Sequence, residues 1–226
     1  LILKGEMPDK NSEKMLDSML TIAIDHGVEP SSVVAARNVY SAGSPLQAAV
    51  AAGVLAFGEY HGGAIEGAME IFKKYCPPAG GGVKTLVDDF NKSGERVLGF
   101  GHRLYSIDPR TQRLLALAKE FGFLGKYVKF ALEVEKELST DAPSTHSNNS
   151  VQASSGQVKR LPLNIDGILA ALLCEMGFNP KSGKGFFIIA RTPGIVAHVV
   201  EEALREKPVR RLSEADVEYD GPRPRK

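Results

Sequence analysis

Four side chains that can exchange or hold a proton stand where the chain turns between helices. They are His26 at a helix end, His61 directly before Gly62 and Gly63, His102 between Gly101 and Arg103, and Asp166 at the close of the run Pro162-Leu163-Asn164-Ile165. Imidazoles and carboxylates are the groups that transfer protons near neutral pH and hydrogen-bond to a developing charge. Taken singly, a histidine at a helix C-terminus also serves as a dipole-complementing group. Glycine beside a histidine shifts that balance, because backbone amides can then approach a ligand closely, and loops are where reacting groups are usually carried. His146 lies in a polar stretch, and His198, next to Ala197 and Val199, reads as a packing histidine. The two widely spaced cysteines, Cys76 and Cys174, read as reduced core thiols, consistent with a cytoplasmic protein.

The elements that must carry these residues are helical. Apolar residues recur at three- and four-residue spacing from Met15 through Leu16, Met19, Leu20 and Ala23 toward Asp25-His26. Pro30-Ser31-Ser32 caps a second helix reaching Ala42, and Ser44-Pro45 caps a third, Ala-rich one to Phe57. Further helices are predicted over Ala64 to Tyr75, Val83 to Lys92, Asp108-Pro109 to Phe121, Gly125 to Leu138, Leu163 to Met176, Lys181 to Ala190 and Pro193 to Arg205. Cys76 to Gly82 reads as a flexible connection and Gly94 to Tyr105 as a loop. Residues 139–157, rich in Ser, Thr and Asn, read as a disordered or surface insertion, and the tail from Pro208 as extended. No alternating strand and no internal repeat is apparent, so the expected class is all-α, a packed globule rather than a solenoid.

Composition removes several classes of function. The 226 residues carry 28 Lys+Arg against 27 Asp+Glu, which leaves no basic face for nucleic acid. The most apolar run, Gly185 to Val200, is interrupted by Arg191 and Pro193, so no membrane span is expected. Leu1 to Gly5 reads as the tail of an apolar segment of a longer chain rather than as a signal peptide. Gly177 and Gly183 are wrongly spaced for a phosphate loop, and Gly99-Phe100-Gly101 lacks the third glycine of a dinucleotide fingerprint. The five histidines have no partners at zinc-ligand spacing, so no metal is expected.

The stretch Gly99-Phe100-Gly101-His102-Arg103-Leu104-Tyr105-Ser106-Ile107-Asp108-Pro109-Arg110 resembles the signature of the citrate synthase superfamily. The agreement continues, in family order, through His61-Gly62-Gly63-Ala64, Asn164-Ile165-Asp166-Gly167 and Ala190-Arg191-Thr192-Pro193-Gly194. It covers nearly the whole chain outside the insertion and is nearest to the short citryl-CoA lyase or citrate synthase-like branch. Leu104 and Ser106 depart from the residues usual at their positions, and the loop from His102 to Arg110 is one residue shorter than in many synthases.

The resemblance implies an all-α fold in which a smaller helical domain, residues 61–167, closes over a large one built from residues 1–60 and 168–226. It implies the carbon-carbon chemistry that joins acetyl-CoA to oxaloacetate through citryl-CoA, with the lyase favoured. The alternatives are a citrate or 2-methylcitrate synthase that hydrolyses the thioester, and a non-catalytic subunit that binds acyl-CoA. By the same resemblance Asp166 is the base, His61 bonds the thioester oxygen and His102 bonds the keto oxygen. His26, Arg110 and Arg191 hold the dicarboxylate, joined by Arg210 or Arg211 from a partner subunit, which makes the active unit a homodimer. Planar guanidinium groups suit that task better than lysine does. For Arg191, set in the apolar run Phe186 to Ala190, a buried salt bridge is the competing explanation. Leu98, Gly99, Gly101 and Arg103 are the implied contacts of coenzyme A, which is a substrate rather than a resident cofactor.

Overall fold

The computed structural model describes residues 1–78, 80–102, 106–140, 161–211 and 221. Among them the chain forms α1 (Lys10–Ala23), α2 (Ser31–Ser41), α3 (Leu46–Leu55), α4 (Ala64–Tyr75), α5 (Gly82–Ser93), α6 (Pro109–Phe121), α7 (Lys126–Thr140), α8 (Ile165–Glu175) and α9 (Gly183–Arg205), with a 3-10 turn at Pro180–Ser182. Only isolated bridges accompany the helices among the described residues: Gly58 with His61 and with Gly62, and Phe100 with Leu163. The all-α class is therefore as expected.

These helices form two compact units. The first comprises Leu1–Asp25 and Phe57–Pro193, the second His26–Ala56 and Gly194–Lys226. They divide the chain elsewhere than at 61 and 167, because α8, which begins at 165, shares its core with helices that precede it. Residues 167 to 174 of α8 are all buried, so the helix is enclosed on every side. Against it lie α7 and α4, the latter through a stripe of Ile65, Ala68, Met69 and Phe72 at helical spacing. Full burial of a side chain such as Phe72 contributes about 1.5–3 kcal/mol. Met15, Met19 and Ala23 give α1 a similar stripe, which packs on α6.

Capping sets the limits of the helices that matter for function. Asp108 caps α6, with Pro109 in its first turn, and Gly122 ends it in a left-handed conformation (φ 84°). Asn164 caps α8 by accepting from the amides of Asp166 (3.0 Å) and Gly167 (3.1 Å), which is why the helix begins at Ile165 and not at Leu163. Glu175, at the other end of α8, accepts from the amides of Tyr127 and Val128 and so orders the start of α7. The caps expected at Pro30-Ser31-Ser32 and Ser44-Pro45 make no side-chain bond: Pro30 and Pro45 themselves occupy the cap positions.

One expectation is overturned. The two helices anticipated on either side of Pro193 are a single helix, α9, with the proline inside it. An interior proline costs about 3 kcal/mol. Phe186, Phe187 and Ala190 before it and Ile195 and Val199 after it are all buried, and their combined burial exceeds that cost. The Thr192 hydroxyl also donates to the Ile188 carbonyl at 2.6 Å, a back-bond that suits a bent segment. The insertion expected at 139–157 falls outside the described residues beyond Thr140, and α7 takes residues 139 and 140 into its last turn.

In the second unit α2 packs on α3, where Gly53 permits close approach: a Cβ there would stand 2.8 Å from the Ser32 carbonyl oxygen. The segment after α9 is tied back by hydrogen bonds from the Val209 amide to the Ser41 carbonyl (2.8 Å) and from the Arg210 amide to the Ser41 hydroxyl (3.2 Å). Glu202, buried, receives Arg37 Nε at 2.7 Å and Arg210 Nη2 at 2.5 Å.

Candidate active site

A contact between two glycines organises the site. The loop Gly99-Phe100-Gly101 runs beside Pro162-Leu163-Asn164, with the Gly101 amide donating to the Pro162 carbonyl (2.7 Å) and the Asn164 amide to the Gly99 carbonyl (3.0 Å). The Asn164 side-chain amide donates to the Gly101 carbonyl at 2.9 Å. Gly99 adopts φ +90°, and a Cβ on it would lie 2.6 Å from the Gly167 Cα. Neither position has room for a side chain, and both the positive φ and the approach require glycine at 99. This places His102, just past the loop, near the first turn of α8, which carries Asp166.

His102 Nε2 lies 3.4 Å from Nη2 of Arg110. A guanidinium only donates, so that bond needs an unprotonated Nε2 and places the ring proton on Nδ1. Burial pushes the His102 imidazole below its ordinary value, Asp108 opposes this and Arg110 reinforces it, so the ring is neutral at pH 7. Arg110 is itself fixed by Asp108, through Nε to Oδ1 at 3.0 Å and Nη2 to Oδ2 at 2.8 Å. Asp108 also accepts from the Ile165 amide at 3.2 Å, although it lies far from that residue in sequence. Burial raises the Asp108 carboxyl, but its contacts with Arg110 outweigh this and hold it low.

Asp166 has the opposite balance. Desolvation raises its carboxyl above the usual range, Asp108 adds to the rise, and Arg110 and Arg191 pull it down without cancelling it. All four charged groups are therefore within electrostatic reach in one unit. Arg191 is 4% exposed, and its Nε donates to the Ala23 carbonyl at 2.9 Å. Its guanidinium carbon lies 4.9 Å from the centre of the Phe187 ring, one turn earlier on α9.

Phe187 is a shared neighbour on that side. The His61 ring stands edge-on to it at 6.0 Å and tilted against Phe57 at 5.1 Å. Gly62, at φ +82°, lies so close that a Cβ would reach 2.6 Å from a Phe187 ring carbon. A tight turn joined by bonds between Gly58 and His61 (3.0 and 3.4 Å) fixes the imidazole between the two rings.

Of the residues expected to act together, His61, His102, Arg110, Asp166 and Arg191 all belong to the first unit. Leu98, exposed, and Gly99 and Gly101 lie on the loop as anticipated, whereas Arg103 lies outside the described residues. His26, Arg210 and Arg211 belong to the second unit. Arg210 is engaged by Glu202, while Arg211 is exposed. Sequence reasoning missed Phe187, whose role rests on long-range packing, and the second role of Asp108, which has the appearance of a plain N-cap. Cys76 and Cys174 are buried free thiols, and burial pushes Cys174 up to about 12. Among the described residues no group of His, Cys, Asp and Glu is placed to hold a metal ion, and no helix is long and apolar enough to cross a membrane.

Comparison with known proteins gives the family of this chain. Over the whole of this chain and 83% of its own, the structure of citryl-CoA lyase from Hydrogenobacter thermophilus is 44% identical with a TM-score of 0.85. The citrate synthase of Thermoplasma acidophilum, solved in ternary complex with carboxymethyl coenzyme A and oxaloacetate, is 25% identical over 98% of this chain and 55% of that one, with a TM-score of 0.74. A probable ATP-citrate synthase of Caenorhabditis elegans is 27% identical over 233 residues, which span 92% of this chain but 19% of that much longer protein. The model of the citrate synthase C-terminal domain matches residues 1–212, so the chain belongs to the citrate synthase family.

Proposed function

We propose that the chain is a citryl-CoA lyase, cleaving citryl-CoA to acetyl-CoA and oxaloacetate. The observation that carries this reading is the grouping of a neutral His102, a carboxyl-raised Asp166 and the two guanidinium groups of Arg110 and Arg191 in one unit, in a chain 44% identical throughout to a citryl-CoA lyase. Arg110 and Arg191 hold the carboxylates of the oxaloacetate moiety. The neutral His102 imidazole accepts the citryl hydroxyl proton at Nε2, whose long contact with Arg110 Nη2 (3.4 Å) gives way as that guanidinium engages the substrate carboxylate, while the carbon-carbon bond breaks and the keto group forms. The bonding pair passes into the thioester enolate, where His61 donates a hydrogen bond to the developing oxyanion. Asp166, its carboxyl raised by burial, gives its proton to the enolate carbon and yields acetyl-CoA. Coenzyme A lies along Leu98, Gly99 and Gly101. An arginine from a second copy completes the carboxylate clamp, and we assign it to Arg211, since Arg210 is committed to Glu202.

The test is to give the purified protein citryl-CoA and, separately, acetyl-CoA with oxaloacetate, and to quantify every product. Acetyl-CoA and oxaloacetate from citryl-CoA without free citrate is the expected result. Citrate with free coenzyme A would make the protein a synthase, and use of propionyl-CoA a 2-methylcitrate synthase. No turnover in either tube, with acyl-CoA still bound, would make it a non-catalytic subunit.

A further inference from the structure

Asp108 makes more bonds than helix capping needs. Its side chain is fully buried, and it accepts from the Arg110 amide (3.0 Å), Arg110 Nε (3.0 Å), Arg110 Nη2 (2.8 Å) and the Ile165 amide (3.2 Å). The first of these is the N-cap of α6. The next two grip the guanidinium on one side in fork geometry, so its remaining N–H groups are presented away from Asp108. The fourth reaches the first residue of α8, directly before Asp166. One carboxylate thus joins the start of α6, an anion-binding arginine and the start of the helix that carries the proposed proton donor.

We propose that Asp108 is a positioning residue: it orients Arg110 for the substrate carboxylate, locks that arginine to the α8 start, and supplies the counter-charge that lets Asp166 work beside two guanidinium groups. The inference rests on the function proposed above. Without Asp108, the two guanidinium groups of Arg110 and Arg191 would face Asp166 with one carboxylate fewer beside them, Asp25 remaining near Arg191. The groups around the two carboxylates are Arg110 and His102 for Asp108, and Arg110, Arg191 and Asp108 for Asp166. A released Arg110 side chain has many rotamers, so the clamp would also be lost for part of the time.

Asn is as good an N-cap as Asp, so Asp108→Asn retains the helix start and removes the charge and the fork. For turnover of citryl-CoA we expect kcat to fall by about 100-fold, a loss typical of misplaced substrate-holding groups. The alkaline fall of kcat, governed by Asp166, should move to lower pH because a neighbouring negative charge has gone. Asp108→Glu, which keeps the charge, should recover the position of that limb more than the rate. In an Arg110→Met background, Asp108→Asn should change KM little further, because its effect on binding passes through Arg110. An Asp108→Asn protein with unchanged kcat and pH profile would overturn the proposal, as would full additivity of the two substitutions in KM. If the wild-type protein did not turn over citryl-CoA, the function above would fail, and titration calorimetry with citrate would still decide this point: about 10-fold weaker binding by Asp108→Asn supports the positioning role, and equal binding ends it.

Discussion

The function proposed above rests, at the residue scale, on three ionisable groups displaced in useful directions by their surroundings. Asp166 is raised by desolvation, His102 is lowered by it, and Asp108 is held low by Arg110. Groups pushed apart in this way divide into donor and acceptor roles, which the proposed cleavage, with one proton leaving oxygen and one reaching carbon, requires. Replacing Asp166 by Asn should lower kcat by at least 1000-fold, about 4 kcal/mol of transition-state stabilisation, while the affinity for coenzyme A measured by calorimetry stays within about 2-fold. Equal turnover by wild type and variant would remove Asp166 from the mechanism. The motifs that carry His61, His102, Arg110, Asp166 and Arg191 were legible in the sequence, each with its own glycine or proline, and the fold gathers these five residues in one unit. The Phe187 ring was not, since nothing in the run Phe186-Phe187-Ile188-Ile189 distinguishes the phenylalanine that packs on His61 from its neighbours.

At the scale of elements, loop and helix are joined by backbone rather than by side chains. The paired Gly99 and Gly167 let the His102 loop lie directly on the first turn of α8. Gly99→Ala places a methyl group against that turn and forces an L-residue into φ +90°, so unfolding in urea should show a loss of about 2–4 kcal/mol, with turnover reduced even in the folded fraction. An unchanged midpoint would mean that the contact is slack. Helices bounded by strong local signals matched expectation closely: α6, with Asp108-Pro109 at one end and Gly122 at the other, was readable to the residue at its C-terminus. The limits of α9 were not, because a proline is a local stop signal and the burial that overrides it comes from residues distant in sequence.

For the molecule as a whole, acid stability follows from where the carboxylates are held. Asp108 in the first unit and Glu202 in the second both have folded-state values below the ordinary 3.8 and 4.5. The stability they contribute is present above those ordinary values and is lost as pH falls through the lowered ones. His102, lowered from 6.5, likewise withdraws stability as the pH falls through its folded value, whereas Asp166, raised, costs stability at neutral pH and relieves that cost on acidification. Because Asp166 opposes the other three groups, the contribution with a clear sign is that of Glu202: below about pH 4.5 the wild-type protein should lose its margin of melting temperature over Glu202→Gln. Thermal melts of both proteins across pH 3 to 8 would check this, and a difference between them that stays constant down to pH 3 would contradict it. The interleaved units have a consequence for biosynthesis as well. The helices α2 and α3 emerge from a ribosome well before residues 194 onward, with the whole stretch from Phe57 to Pro193 made in between. The nascent second unit must wait for its missing half through all of that translation, so its apolar faces are the part of this protein most dependent on a chaperone while it is being made.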